Sequence, residues 1–79
     1  MRAKVEVFLK PGVLDVQGKA IEGALHGLGF PGVAQVRVGK TIAFELPDGD
    51  RAAAEAQVKS MCERLLANAV IESYRIELG

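Results

Sequence analysis

The chain is 79 residues long, 49% of these residues are hydrophobic, and ten basic side chains balance ten acidic ones. This length predicts a single domain, residues 1–79, with a small core, and the apolar content excludes a disordered chain. Zero net charge gives no attraction to nucleic acid, and no apolar run is long enough to cross a membrane. The sequence therefore favours a cytoplasmic protein that binds neither nucleic acid nor a membrane.

The first predicted element is a strand over residues 3–9, where apolar and polar side chains alternate. Pro11-Gly12 ends this strand. Asp15 is then placed to cap a helix by accepting hydrogen bonds from its first amides. Gly29 is the predicted C-terminal stop of this helix.

The first helix carries three interior glycines, Gly18, Gly23 and Gly27. Each of them costs about 0.5–1 kcal/mol relative to alanine. A short helix rarely carries this cost unless another surface approaches it closely. Two interpretations of Gly23 and Gly27 stay open: they admit a partner, or they let the helix lie close to its own sheet.

A second strand is predicted over residues 34–38 and a third over residues 41–46, because both segments alternate in the same way. Gly39-Lys40 lies between them, and glycine in the first position is typical of a type II′ turn. The two strands are therefore expected to form an antiparallel hairpin.

A second helix follows, capped by Asp50 and ending near Asn68, with an apolar stripe that includes Val58 and Cys62. Residues 73–78 alternate again and form a fourth strand. The order β-α-β-β-α-β predicts an α+β fold of the ferredoxin-like type, in which an antiparallel sheet carries both helices on one face.

The opposite face of this sheet would carry no helix, and three apolar residues are expected there: Phe8, Val33 and Ala43. Several apolar side chains on one uncovered face indicate self-association. A core this small points the same way, since small domains without disulfides often gain stability by oligomerising. A dimer or a tetramer is expected.

The residues offer little for catalysis. Cys62 is the only cysteine and lies in an apolar stretch, whereas His26, the only histidine, lies on the other helix, so no nucleophile and base are paired. The segment from Gly12 to Ala20 is one residue too long for a phosphate-binding loop. The chain is expected to be a non-catalytic module with no metal or cofactor of its own. The alternative is a regulatory domain of the same fold that senses a small molecule near Gly12 and Asp15.

Several motifs resemble those of the PurS family, the small subunit of phosphoribosylformylglycinamidine (FGAM) synthase. They are KPGVLD at 10–15, QGKA at 17–20, EGALH at 22–26, LGF at 28–30, VRVGK at 36–40, and the segments 65–68 and 70–77. Val16 and Ala69 stand where the family usually has proline, and neither departure removes a functional group.

The resemblance implies an accessory subunit of de novo purine biosynthesis. Such a subunit bridges a glutaminase, PurQ, and a synthetase, PurL, and helps ammonia pass between them. The complex converts formylglycinamide ribonucleotide (FGAR) to FGAM with ATP and glutamine, and the large subunit is the one expected to use ATP and magnesium. No activity is expected from this chain alone.

Contact with these partners is predicted on the first loop and helix, where polar residues and glycines cluster. The predicted contact residues are Lys10, Asp15, Gln17, Gly18, Lys19, Glu22, Gly23 and His26.

Overall fold

The computed structural model describes all 79 residues, Met1–Gly79. A five-residue π-helical turn, Cys62–Leu66, continues the second helix. The regular elements in chain order are β1 (Arg2–Leu9), α1 (Val16–Gly27), β2 (Gly39–Glu45), α2 (Arg51–Met61) and β3 (Glu72–Leu78).

The sheet has three strands in the order β2-β1-β3, and both neighbours of β1 run antiparallel to it. Val5 lies at the centre, opposite Ile42 of β2 and Ile76 of β3. The last strand therefore pairs within its own chain. The predicted α+β arrangement, an antiparallel sheet with two helices, is confirmed with one strand fewer.

The core lies between β1 and α2. Ala3, Val5 and Val7 alternate along β1 and are buried, and they pack with Val58 and Cys62 of α2 and the π-helical turn. Asp50 caps α2, as predicted, by accepting a hydrogen bond from the Ala52 amide at 3.2 Å. Burial of alternate strand residues against one helix stripe produces this core.

The prediction of a strand over residues 34–38 is wrong, and so is the prediction of a hairpin turn at Gly39-Lys40. Residues 33–38, hereafter the strap, have no regular structure, and β2 begins at Gly39. The strap does not form a strand because its amides are bound elsewhere: Val36 donates to the Glu22 carboxylate and Val38 to the Asp15 carboxylate. Gly39 is needed for packing instead, since a Cβ there would lie 2.8 Å from the Val7 carbonyl oxygen.

The molecule is elongated. Its radius of gyration is 16.0 Å, whereas a compact chain of this length has about 12 Å, and its extents are 49 × 24 × 15 Å. α2 packs on the sheet, where it contacts β3. In α1, by contrast, only Gly18 is buried, and Leu28 at its C-terminal end is 74% exposed. We call α1 and the strap the arm, and the three strands with α2 the sheet lobe.

Candidate functional site

The junction between the arm and the sheet lobe is organised by Asp15. This residue is only 4% exposed, and its two carboxylate oxygens accept hydrogen bonds from the amides of Gly18 and Val38, each at 2.7 Å. The first of these bonds is the predicted N-cap of α1. The Val38 amide, followed by the Gly18 amide, holds the pKa of Asp15 below its ordinary value, and the nearby Arg37 adds to this effect.

Arg37 makes the reciprocal connection, from the strap back to the loop before α1. From the strap, its Nη2 donates to the carbonyl oxygens of Lys10 at 3.0 Å and Val13 at 2.9 Å, both in the loop that leads from β1 to α1. Asp15 of the loop therefore binds the backbone of the strap, and Arg37 of the strap binds the backbone of the loop, so the two segments are joined twice.

Gly18 is the point of closest approach between α1 and the strap. A Cβ there would lie 2.3 Å from the Val36 carbonyl oxygen, a distance that atoms do not reach, so only glycine fits. Beside it, the Glu22 carboxylate accepts from the Val36 amide at 3.2 Å, and this hydrogen bond lowers the pKa of Glu22.

His26 completes the contact between α1 and the strap. Its Nε2 lies 2.6 Å from the Val33 carbonyl oxygen, so the Nε2–H tautomer is the donor. His26 and Glu22 therefore hold the strap along one side of α1.

The predicted contact residues fall into two groups. Asp15 and Gly18 are buried in the junction, where their bonding partners belong to the same chain. Six others reach the surface, and Lys10 among them also donates through Nζ to the Ala69 carbonyl oxygen at 2.9 Å. These six are Lys10, Gln17, Lys19, Glu22, Gly23 and His26, and their contact with a partner stays a prediction.

The other side of α1 is uncovered. At 100° per residue, Lys19, Glu22 and His26 lie on the side of α1 that faces the strap. The opposite side is exposed and carries no charge. It consists of Val16, Gln17, Ala20, Ile21, Gly23, Ala24, Gly27 and Leu28. A Cβ at Gly23 or Gly27 would meet nothing within 4 Å, so these glycines do not bring α1 close to its own sheet, and that interpretation is wrong.

The helix-free face of the sheet is mostly polar. Phe8 is 43% exposed there, and Ala43 is exposed on the same face. Arg2 pairs with Glu45 at 2.9 Å, and Arg75 pairs with Glu6. Val33 does not lie on this face as predicted, because the strap that carries it is not a strand.

An open groove of about 610 Å³ lies where β1, the loop before α1 and the strap meet. Both apolar and charged side chains line it; the residues are Phe8, Leu9, Pro11, Leu14, Asp15, Lys19, Glu22, Gln35, Val36 and Arg37. Asp15, the most buried of them, has both oxygens bonded to backbone amides. The groove therefore offers a ligand no free carboxylate at that position.

No cluster of three or more His, Cys, Asp or Glu side chains is arranged to hold a metal ion. None of the helices combines the length and the apolar character needed to span a membrane.

Comparison with known proteins identifies the family. The family model for PurS, phosphoribosylformylglycinamidine (FGAM) synthase, matches residues 2–79. The chain belongs to the PurS family. The FGAM synthase subunit PurS of Bacillus subtilis is 47% identical over 77 residues, which cover 98% of this chain and 90% of the relative. The PurS subunit of Synechocystis is also 47% identical, over 95% of this chain and 75% of the relative.

Solved structures agree with this assignment. A structure of B. subtilis PurS superposes with a TM-score of 0.86 and covers 96% of this chain and 94% of that one. A chain from the structure of PurLQS of Thermotoga maritima, 32% identical, gives a TM-score of 0.87 over 96% of this chain and 93% of that one. The prediction of a PurS subunit of FGAM synthase in purine biosynthesis is confirmed.

Sequence reasoning missed Arg37 and the function of the strap. In the predicted strand over residues 34–38, Arg37 is one of the polar residues that alternate with the apolar ones, so its bonds to Lys10 and Val13 were not anticipated. The pairing of one acidic and one basic residue in the two segments that flank α1, Asp15 and Arg37, was the available signal.

Proposed function

We propose that this chain is a non-catalytic accessory subunit of FGAM synthase that binds both the glutaminase subunit PurQ and the synthetase subunit PurL. In this role it assists ammonia transfer during the ATP- and glutamine-dependent conversion of FGAR to FGAM. The observation that carries the proposal is the likeness, over 96% of the chain, to a chain of the structure whose name is PurLQS.

The chemistry of the chain supports a role without catalysis. Cys62 is fully buried, and burial together with the neighbouring Glu63 raises the pKa of its thiol, so a thiolate nucleophile is disfavoured. His26 binds the Val33 carbonyl oxygen of the strap through Nε2. We assign ATP and magnesium to the large subunit and no cofactor to this chain.

The uncharged side of α1 is the surface we assign to the partner subunits. It is continuous and exposed and contains small residues, so a partner backbone is able to approach it closely. Gln17 lies on this side, and Lys19 lies at its edge, where it supplies part of the polar rim that interfaces carry. Lys10, in the loop before α1, and Glu22 and His26, on the strap side of α1, are further proposed contacts.

We further propose that the chain self-associates as a dimer or tetramer in the cytoplasm. Only nine of its 79 residues are buried, and a core of this size supplies little stability alone. Phe8 and Ala43 on the helix-free face are the proposed contact, and Val33 on the strap lies outside that face.

Co-elution of purified proteins tests the bridging role. The chain is mixed with PurL and PurQ and passed over a sizing column with glutamine, ATP and magnesium. We expect one peak that contains all three proteins, and no glutaminase or synthetase activity in the chain alone. Elution of this chain apart from both partners, or turnover by the chain alone, would contradict the proposal. Calorimetry against amino acids and nucleotides tests the sensing alternative, for which tight binding is the expected result.

A further inference from the structure

The direction of the arm is not set by packing against the sheet. α1 buries only Gly18, and Ile21 and Leu28 on its far side are 39% and 74% exposed. Within the arm, α1 is joined to the sheet lobe by two segments, the loop 10–15 before it and the strap, which leads back to β2. Its angle therefore depends on what holds these two segments together.

Two charged side chains join these segments reciprocally. Asp15, in the loop, accepts from the Val38 amide in the strap at 2.7 Å. Arg37, in the strap, donates to the Lys10 and Val13 carbonyl oxygens in the loop at 3.0 and 2.9 Å. Hydrogen bonds to charged groups are about twice as strong as neutral ones, and because each bond ends on backbone, it positions the chain itself.

We infer that Asp15 and Arg37 form a clamp that fixes the direction in which the arm leaves the sheet lobe. Both are positioning residues. Gly18 is the third part of the clamp, because the absence of a side chain there lets α1 contact the Val36 carbonyl oxygen in the strap. A fixed arm presents the uncharged side of α1 in one orientation and so lowers the entropy lost on binding.

The clamp is a property of the isolated chain. Its relevance to assembly rests on the proposed function, but its existence does not, so the experiment uses the full chain without PurL or PurQ. A failure of the clamp is then distinguishable from a failure of the bridging role.

Hydrogen exchange measured by mass spectrometry tests the clamp. In Arg37→Gln the two bonds to the loop are lost while the N-cap of α1 stays intact, so we expect peptides from residues 16–38 to exchange roughly tenfold faster. Asp15→Asn and Gly18→Ala are expected to have the same effect. Peptides from β1, β3 and α2 keep their exchange rates, and Cys62 stays unreactive.

Gly23→Ala is the matched control for Gly18→Ala, because the added methyl meets nothing within 4 Å. It should leave the exchange of the arm unchanged or slower, since alanine favours the helix. Unchanged arm exchange in both Arg37→Gln and Gly18→Ala would overturn the inference. So would equal acceleration in the arm and the sheet lobe, which would mean a general loss of stability.

A distance measurement separates a change in orientation from local fraying. Spin labels on Gly27→Cys and Glu55→Cys, both exposed positions, report the distance between α1 and α2, and dilution with unlabelled chain removes pairs between copies. We expect one narrow distance distribution with Arg37 present and a broad one in the Arg37→Gln background. Equal widths in the two backgrounds would overturn the inference.

Discussion

Asp15 serves two segments at once. It caps α1 through Gly18, as helix N-caps do, and it also takes the amide of Val38, which in a hairpin would have gone to a strand. A carboxylate with two buried amide donors is most stable when ionised, so the pKa of Asp15 lies below that of a free aspartate, about 3.9.

The lowered pKa makes the junction sensitive to acid. Because the folded pKa is the lower one, the ionised carboxylate contributes fully above about pH 5, and the contribution is lost as the pH falls through the folded pKa. The NMR signal of the Val38 amide is therefore expected to titrate below pH 4 and to report loosening of the strap. The positive charge of Arg37 also lowers the pKa of Asp15.

Asp15→Asn is the control for this titration. Glu22 and Asp48 also have lowered pKa values and titrate in both proteins, so the difference between the two titrations isolates Asp15. Identical pH profiles for the wild type and the variant would contradict this role.

Among the elements, α2 carries the stability of the sheet lobe. Val58 and Cys62 are fully buried against β1, and the π-helical turn closes with a bond from the Ala67 amide to the Cys62 carbonyl oxygen at 2.9 Å. Because Cys62 reaches no solvent, its thiol reports when α2 leaves the sheet.

Val58→Ala is expected to destabilise this lobe by about 1–3 kcal/mol, since it removes buried methyl groups and leaves a cavity. Chemical denaturation measures this loss. Alkylation of Cys62 by iodoacetamide should accelerate in parallel, whereas Val70→Ala, at a position 81% exposed, should change neither. Rapid alkylation of Cys62 in the native wild-type chain would contradict the burial.

The sequence correctly predicted those elements in which the pattern of apolar and polar residues agrees with the burial of their side chains or in which a capping residue marks an end. The alternation in β1 and in the last strand, the caps Asp15 and Asp50, and the stop at Gly29, whose φ is +99°, are all found. The strap also alternates, but periodicity describes only side chains. Periodicity does not reveal that the carboxylates of Asp15 and Glu22 bind the Val38 and Val36 amides, and these bonds keep the strap from forming a strand.

The candidate site was predicted less completely, because several of its residues act inside the chain. The cluster on the first loop and helix was located correctly on α1, yet Asp15 and Gly18 are buried. Residue type alone does not distinguish a glycine that lies against a carbonyl, such as Gly18, from one that faces open space, such as Gly23. The two differ in their surroundings, because a Cβ at Gly18 would lie 2.3 Å from the Val36 carbonyl oxygen, whereas a Cβ at Gly23 would meet nothing within 4 Å.

The whole molecule is elongated and exposes apolar surface, as a subunit of a larger assembly does. Its radius of gyration of 16.0 Å reflects an arm that meets little of the sheet lobe. Exposed apolar side chains remain on the arm, at Phe8, and beyond α2 at Leu65 and Val70. Such surface is normally covered by partners.

Self-association is expected to give a mass in solution that is two or four times the chain mass of 8.4 kDa. Phe8→Ser should shift this mass toward the monomer, because Phe8 is the large apolar side chain on the helix-free face. Leu65→Ser, off that face and 83% exposed, is the control and should not change the mass. Light scattering after a sizing column measures both, and equal masses for Phe8→Ser and the wild type would contradict the assigned contact.

The role of α1 in the complex is tested by titrating this chain into fixed amounts of PurL and PurQ and measuring glutamine-dependent FGAM formation. Gly23→Leu fills open space on the uncharged side of α1, and Gly49→Leu fills open space in the turn before α2. We expect the rate to rise to a plateau with the wild type and with Gly49→Leu, and to rise little with Gly23→Leu although that variant folds. A rate that is the same without the chain, or equal for all three proteins, would contradict a subunit that acts through this surface.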